Sequence, residues 1–233
     1  ALHFEYTKFL EMTPLAVPDF RRALFIGGGA FTMAKALHLI RPEAEISVAE
    51  LDPEVVEVGR KFFRLGNYPK IQVAAEDGRR YLRRTPGRWD LIVGDAYRGL
   101  RTIPSHLITR EFFVEIRERL AVQGAFFINL IAFRAGPGAS LYASVYRTIT
   151  AVFPEVWVFS TDPQSPTVPQ NILFLAFREK KEGRAREFMG RIEREERLNF
   201  IAQGRVPPPG PRVYGPVLTD DFSPIENLIE KGY

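Results

Sequence analysis

The chain has 233 residues, of which 45% are hydrophobic and none is cysteine, and its formal net charge at pH 7 is +4. This length supports one substantial core, and the lack of cysteine excludes a disulfide framework and thiolate chemistry. The basic residues are spread among acidic ones, which does not favour nucleic-acid binding, and the longest apolar run, 124–133, is too short and interrupted to span a bilayer. We therefore expect a soluble, cytoplasmic protein without a nucleic-acid or membrane partner.

Strand-like and helix-like patterns alternate along the chain in the way that builds a parallel sheet with crossover helices. Strands are predicted at 23–26, 45–50, 71–75, 91–93, 125–130, 156–159 and 172–177. Helices are predicted at 32–40, 53–63, 78–84, 110–120 and 141–152, followed by a charged helical stretch at 182–202 and an irregular, proline-rich segment at 204–216. We expect a lead-in segment at 1–20 and a single domain at 21–233, with a C-terminal extension at 204–233.

The most informative segment is the glycine cluster Gly27-Gly28-Gly29, which follows an apolar strand and precedes a helix. Such a turn lets the backbone approach a ligand, although a plain strand-to-helix turn explains the glycines alone about equally well. Glu50 favours the ligand, because an acid about 20 residues further on can bind the two hydroxyls of a ribose. Asp52, followed by Pro53, is instead predicted to cap the next helix. The pattern indicates a protein that binds a nucleoside cofactor.

Three further acidic sites follow predicted elements at positions where open α/β sheets bind ligands. Asp77 is expected either to accept a hydrogen bond from an adenine amino group or to cap the next helix. Asp95 ends a strand and precedes a long loop, a position typical of functional residues. Asp220 and Asp221, with Glu226, are predicted to fold back to the strand ends as part of an anionic rim; the alternative is that Asp221 or Ser223 only caps a short terminal helix.

These segments together resemble the spermidine synthase family of aminopropyltransferases, in particular its shorter spermidine synthase-like branch. Gly27-Gly28-Gly29 resembles the start of the family's Gly-Gly-Gly-Asp-Gly-Gly, Glu50-Leu51-Asp52 its Glu-Ile-Asp, and Glu76-Asp77-Gly78 its Gly-Asp-Gly. The segment 90–95 resembles its Tyr-Asp-(Val/Ile)-Ile-Ile-Val-Asp, and the segment 6–10 its Tyr-His-Glu-Met-Leu. The segments 103–112 and 219–226 look like the synthase-like branch.

The resemblance implies a Rossmann-like α/β fold of the S-adenosylmethionine-dependent methyltransferase type, with a seven-stranded sheet and helices on both faces. It implies an enzyme that transfers an aminopropyl group from decarboxylated S-adenosylmethionine to a polyamine such as putrescine, without a metal ion. A homodimer is a possible assembly.

The resemblance also implies roles for individual residues. Glu50 is expected on the ribose and Asp77 near the adenine. Asp95 is expected to take a proton from the attacking amine, which Tyr6 orients, because an ammonium must lose a proton before it can attack. Apart from the resemblance, Asp220 and Asp221 are expected to help bind a cationic acceptor if they form the anionic rim. The expected cofactor site as a whole comprises Gly27, Gly28, Gly29, Glu50, Asp77, Gly78 and Asp95.

Departures from the family pattern keep two other functions open. Thr7 replaces a histidine, Ala30-Phe31 stands where the family has Asp-Gly, and 161–170 stands roughly in place of its Tyr-Pro-Thr-Tyr-Pro-Ser-Gly. Arg98 falls where a second aspartate would hold the ammonium of the aminopropyl group. If Arg98 turns inward, it indicates an S-adenosylmethionine-dependent methyl- or aminocarboxypropyltransferase. An Arg98 that points to solvent favours neither function. If Phe31 fills the nucleoside pocket, it indicates a non-catalytic nucleoside-binding member.

Overall fold

The computed structural model describes residues 5–97 and 103–230, and within them seven strands form one sheet. The strands are β1 (Arg22–Ile26), β2 (Glu45–Glu50), β3 (Ile71–Ala75), β4 (Trp89–Gly94), β5 (Leu120–Ala132), β6 (Glu155–Ser160) and β7 (Gln170–Phe177). The α-helices are α1 (Glu5–Lys8), α2 (Met12–Ala16), α3 (Thr32–Ile40), α4 (Pro53–Phe62), α5 (Gly78–Arg84), α6 (Arg110–Arg119), α7 (Ser140–Thr150), α8 (Arg184–Ile192), α9 (Asn199–Gly204) and α10 (Ile225–Glu230).

The strand order is β3-β2-β1-β4-β5-β7-β6. The predicted parallel pairing is confirmed for β1 to β5, but β7 runs antiparallel to both of its neighbours, β5 and β6. The predicted parallel arrangement thus holds for the first five strands, and the sheet is mixed at this edge. The reason is the short connection at 161–169, which carries no crossover helix and so joins β6 to β7 as an antiparallel pair.

Helices cover both faces of the sheet, because successive strand residues point to opposite sides. Along β1, Ala23 and Phe25 join the core beneath α3, α4 and α8, whereas Leu24 and Ile26 join the core beneath α5, α6 and α7. The fold is thus the expected Rossmann-like α/β type with a seven-stranded sheet. Within the described ranges, no helix combines the length and apolar composition that a membrane crossing requires.

The N-terminal segment packs onto the α3–α4–α8 face. Phe9, Leu10 and Met12 are each at most 3% exposed and belong to that core. Phe9 also meets Phe159 of β6 and Phe200 of α9 through its ring, with centroids 6.3 and 5.1 Å apart. This packing fixes α1 near the sheet edge that bears the carboxyl ends of the strands.

The C-terminal segment crosses the opposite face without regular structure at 206–216, as the prolines predict. Arg147 of α7 donates to the carbonyl oxygens of Val213 and Gly215, and the Leu218 N–H donates to Thr148. These bonds satisfy backbone groups that a sheet or helix would otherwise pair.

Arg79 of α5 anchors the end of this path. Its side chain is 7% exposed and donates to both carboxylate oxygens of Asp220 at 2.8 Å, and to Glu115 of α6 at 2.6 and 3.0 Å. Arg79 lowers the pKa of Asp220 to about 2, and Thr109 adds a hydrogen bond of 2.6 Å. The C-terminal segment is therefore tied to α5 and α6 by one buried guanidinium.

Removal of this guanidinium should destabilise the protein. We expect Arg79→Met to lower the free energy of unfolding by about 2–4 kcal/mol, because two carboxylates lose their buried partner. Arg83→Met is the matched control, since Arg83 binds the same Glu115 from a side chain that is 60% exposed. It should cost less than about 1 kcal/mol in urea unfolding at pH 7.

The Arg79 effect should also depend on pH with a definite sign. Because the folded-state pKa of Asp220 is lowered, its pair with Arg79 stabilises the protein above the ordinary Asp range and is lost as pH falls towards about 2. The difference between wild type and Arg79→Met should therefore shrink on acidification. An equal effect of the two arginine substitutions would contradict the anchoring role.

Candidate active site

The parallel register brings four strand ends to one edge of the sheet. Ile26, the last residue of β1, pairs with Ala49 and Gly94, and Glu50 pairs with Ala75. The Gly27 N–H continues the ladder to Ala49 O at 2.9 Å, and the Asp95 N–H reaches Ile26 O at 2.9 Å. The predicted residues at the ends of β1, β2 and β4 are consequently neighbours in space.

Gly27 is required by both conformation and space. Its φ is +96°, and a Cβ atom there would lie 2.6 Å from the Asp95 carbonyl oxygen and 2.9 Å from Ala96. A side chain at this position would push the loop away from the end of β4. The close approach of loop and strand therefore depends on glycine.

Glu50 holds the glycine loop. Its Oε2 accepts hydrogen bonds from the N–H groups of Gly28 at 2.7 Å and Gly29 at 3.2 Å, while its Oε1 accepts one from Asp52 at 3.0 Å. A carboxylate offers about four acceptor positions, so one is left for a ligand. A two-point contact with a ribose requires release of one backbone N–H. Asp52 caps α4 by accepting from the Glu54 N–H at 2.8 Å, as predicted.

Phe31 belongs to the core beneath the loop. It is 1% exposed, adopts a left-handed backbone conformation with φ of 55°, and packs where Cβ atoms on Gly28 and Gly59 would lie. Gly59 is on α4, so the ring lies under the loop on the α3–α4 face. Phe31 is a core residue, so its position does not support the alternative in which it fills the nucleoside pocket of a non-catalytic family member.

Asp95 lies at the centre of a polar cluster. Its Oδ2 accepts a hydrogen bond from the Tyr6 hydroxyl at 3.3 Å, and its Oδ1 accepts one from Asn129 Nδ2 at 3.0 Å. The Tyr97 hydroxyl donates to the Asn129 carbonyl oxygen at 3.0 Å. The structure thus joins the two predicted catalytic residues, Tyr6 and Asp95, although they are 89 positions apart in the chain.

Burial raises the pKa of Asp95 to about 6, and the hydrogen bonds from Asn129 and Tyr6 oppose that rise. Burial and the nearby Asp95 charge also raise the pKa of Tyr6, so its hydroxyl remains a donor at neutral pH. Asp95 is therefore a carboxylate at pH 7 that binds a proton more readily than a surface aspartate. That property suits a general base.

Asp77 takes the capping alternative that its sequence allowed. Its Oδ1 accepts from the Arg80 N–H at 2.9 Å at the start of α5, and its Oδ2 lies 2.9 Å from His106 Nε2. Gly78 lets α5 pack closely on β1, since a Cβ atom there would lie 2.3 Å from Ile26 Cγ2. The adenine contact of Asp77 stays a prediction.

The C-terminal acids are placed differently from one another. Both acids are exposed, but Asp220 binds Arg79 and Thr109, so its charge is compensated within the protein. Their role in binding an acceptor stays a prediction. Arg98 lies outside the described residues, so the alternative that depends on its orientation is not decided by the structure.

Tyr6, Asp95 and the glycine loop line a cavity of about 180 Å³. A larger groove of about 810 Å³ on the α3 side, next to Lys35 and Phe63, contains none of the predicted site residues. Size alone does not define a catalytic site, and the smaller cavity holds the carboxylate with the raised pKa. Over residues 5–97 and 103–230, no group of three or more His, Asp or Glu side chains is placed to hold a metal ion.

Sequence reasoning missed Asn129 and Asn171, which extend the cluster. Asn129 is 1% exposed, and its Oδ1 accepts a hydrogen bond from Asn171 Nδ2 at 3.0 Å. A signal was present for Asn129, because it is the single polar residue in the apolar run 125–132. Nothing local marked Asn171, since β7 reaches β5 only in the folded sheet.

The fold defines a Rossmann-like α/β class of protein, and comparison with known proteins identifies the family within that class. A sequence model of the spermine/spermidine synthase domain matches residues 3–183, which is more than half of the chain. The chain belongs to the spermine/spermidine synthase family.

Proteins that are similar in sequence are named polyamine aminopropyltransferases. A polyamine aminopropyltransferase of Vibrio vulnificus is 29% identical over 167 residues, covering 70% of this chain and 54% of that protein. A probable polyamine aminopropyl transferase of Bifidobacterium longum is 31% identical over 145 residues, covering 60% of this chain and 32% of that protein. The chain thus spans about half or less of the length of these relatives.

Solved structures support the fold. A probable spermidine synthase from Corynebacterium glutamicum aligns with a TM-score of 0.70 at 24% identity, covering 90% of this chain and 82% of that one. Human methyltransferase-like protein 13, solved in complex with SAH, aligns with a TM-score of 0.67 at 19% identity, covering 84% and 93%. The methyltransferase-type architecture is confirmed.

The raised pKa of Asp95 predicts a pH-dependent stability difference. Because the pKa is raised from 3.8 to about 6, the native state holds the Asp95 proton more tightly than the unfolded chain. Stability is therefore lost as pH rises from about 4 to about 6, by up to about 3 kcal/mol. Asp95→Asn lacks this titration, so its stability relative to wild type should increase over that interval in urea unfolding. Parallel pH profiles for the two proteins would rule out a raised pKa.

Proposed function

We propose that this chain transfers an aminopropyl group from decarboxylated S-adenosylmethionine to an amine of a polyamine such as putrescine. The observation that carries the proposal is the Asp95 cluster. A carboxylate with a raised pKa, held by Tyr6 and Asn129, lies beside a glycine loop at the carboxyl ends of parallel strands. The family membership of the chain and the names of its relatives agree with this reaction.

The residues at the strand ends fit a nucleoside. The loop at Gly27 presents backbone without side chains, and Glu50 lies at the end of β2, where an acid binds ribose hydroxyls. Asp77 follows β3 and is the proposed partner of the adenine amino group, with His106 moving off its Oδ2. The nucleoside would then lie across the open strand ends from Gly28 to Asp77.

The small cavity suits the reacting groups. About 180 Å³ is below the volume that holds a whole drug-sized ligand, so we assign this space to the aminopropyl chain and the acceptor amine. Asp95 and Tyr6 supply its polar groups, and Phe25, Met33 and Ala34 supply apolar walls for methylene groups. An ammonium entering this space is attracted by the Asp95 carboxylate.

The reaction follows from that arrangement. Asp95 accepts a proton from the acceptor ammonium, and the freed lone pair attacks the carbon beside the sulfonium. A C–N bond forms as the C–S bond breaks, its electron pair goes to sulfur, and methylthioadenosine leaves as a neutral thioether. Tyr6 orients the amine and holds the Asp95 carboxylate by its hydroxyl.

The direct test is a transfer assay with two donors. Purified protein is given putrescine and either decarboxylated S-adenosylmethionine or S-adenosylmethionine, and methylthioadenosine and the amine products are measured. Turnover with the decarboxylated donor alone supports the proposal. Methyl or aminocarboxypropyl transfer from S-adenosylmethionine would replace it with the alternative reaction, and binding without turnover would indicate a non-catalytic member.

Asp95→Asn should lower kcat by at least about 100-fold, because it removes the proton acceptor. Methylthioadenosine affinity should be retained. In wild type, kcat/KM should rise with pH through about 6, since the ionised carboxyl is the base. Asp19→Asn makes the same substitution on a side chain that is 99% exposed and should behave as wild type. Near-normal turnover in Asp95→Asn would exclude Asp95 as the base.

Glu50→Gln should weaken methylthioadenosine binding by about 10- to 100-fold in calorimetric titration. The substitution removes charge-assisted hydrogen bonds to the ribose and loosens the N–H groups of the glycine loop. Glu54→Gln, on the exposed first turn of α4, is the matched control and should leave affinity unchanged. Equal affinities for wild type and Glu50→Gln would remove Glu50 from the nucleoside site.

A further inference from the structure

The amide of Asn129 is held from both ends. Its Nδ2 donates to Asp95 Oδ1 at 3.0 Å, and its Oδ1 accepts from Asn171 Nδ2 at 3.0 Å. A side-chain amide has an NH₂ group that donates and an oxygen that accepts. A donor that binds the oxygen therefore leaves the NH₂ group to face the second partner. A rotation of Asn129 by half a turn would set oxygen against the Asp95 carboxylate and nitrogen against nitrogen of Asn171.

The sheet fixes the backbone of Asn171. It lies in β7 opposite Ile131, and Asn129 lies opposite Leu173, so the two asparagines are diagonal neighbours on one face of an antiparallel pair. The Asn171 carbonyl oxygen accepts a hydrogen bond from the Thr161 N–H at 3.1 Å. The backbones that carry Asn129 and Asn171 are therefore both held in place by the sheet.

We propose that Asn171 is a positioning residue for Asp95: it orients the Asn129 amide so that the Asn129 NH₂ group, and not its oxygen, faces the carboxylate. Asn171 does not touch Asp95, and its effect passes through Asn129. This proposal rests on the proposed function for its catalytic meaning, but the orientation itself is a property of the free protein.

The consequence is a controlled proton affinity at Asp95. The bond from Asn129 favours the ionised carboxyl and so opposes the effect of burial. Within the described part of the chain, two titratable groups interact with Asp95. Tyr6 donates a hydrogen bond to it, and the Asp95 charge adds to the effect of burial in raising the pKa of Tyr97. Neither is positioned by Asn171, so a change at Asn171 reaches Asp95 through Asn129.

The test is an NMR titration of the Asp95 carboxyl carbon in the ligand-free chain, with Asp95→Asn used for assignment. In Asn171→Leu the midpoint should rise by about one pH unit, because a hydrogen bond to a charged group is worth about one to two units. Thr161→Val is the matched control, since its hydroxyl bonds the Asn171 backbone oxygen at 3.4 Å and not the amide. Its midpoint should equal that of wild type.

In the transfer reaction, Asn171→Leu should move the acid limb of kcat/KM upwards by the same amount while the KM for the donor stays constant. A merely structural role would alter stability without moving this limb. If Asn171→Leu does not fold, Asn171→Ala replaces it, because alanine also removes the donor to Asn129 Oδ1 and adds no charge near Asp95.

Failures of the two proposals are distinguishable. An unchanged Asp95 midpoint in a folded Asn171 variant overturns the positioning role, even if the wild type transfers aminopropyl groups. A raised midpoint supports the positioning role, even if the wild type transfers none.

Discussion

The parallel register of β1 with β2 and β4 is the constraint on which the site depends. Because the three strands run in the same direction, the segments after Ile26, Glu50 and Gly94 leave the sheet at one edge. The glycine at position 27 then allows the loop to touch the end of β4, where a Cβ atom would meet the Asp95 carbonyl at 2.6 Å. A larger residue there would separate the glycine loop from the proposed base.

Burial of Asp95 gives the protein both a cost and a chemical capability. Removing a carboxylate from water destabilises its charged form, which raises the pKa to about 6 and lowers stability at neutral pH. Hydrogen bonds from Tyr6 and Asn129 limit that cost without abolishing it. Functional sites commonly retain such locally unfavourable groups, and the rest of the fold supplies the stability they lack.

The N-terminal and C-terminal segments act on opposite faces of the same edge. Phe9, Leu10 and Met12 pack onto one core and thereby place Tyr6 on Asp95. On the other face, Arg79 binds Asp220 and also donates to the carbonyl oxygen of His106, whose ring contacts Asp77. Asp220 therefore connects to the proposed adenine side through a structural ion pair with Arg79.

The sequence by itself determined the local structure and the identity of the principal strand-end residues. The helices Thr32–Ile40 and Gly78–Arg84 match their predicted bounds, and Asp52 caps α4, because apolar periodicity, glycine and capping residues act over a few positions. Only the tertiary structure decided the antiparallel placement of β7, the contact of Asn171 with Asn129 and the pairing of Arg79 with Asp220. The two asparagines are 42 positions apart in the chain, and Arg79 and Asp220 are 141 positions apart. The sequence around Arg79 does not indicate which carboxylate it will bind in the folded protein. Short-range patterns therefore predicted where the strands end, whereas long-range packing decided which polar groups meet there.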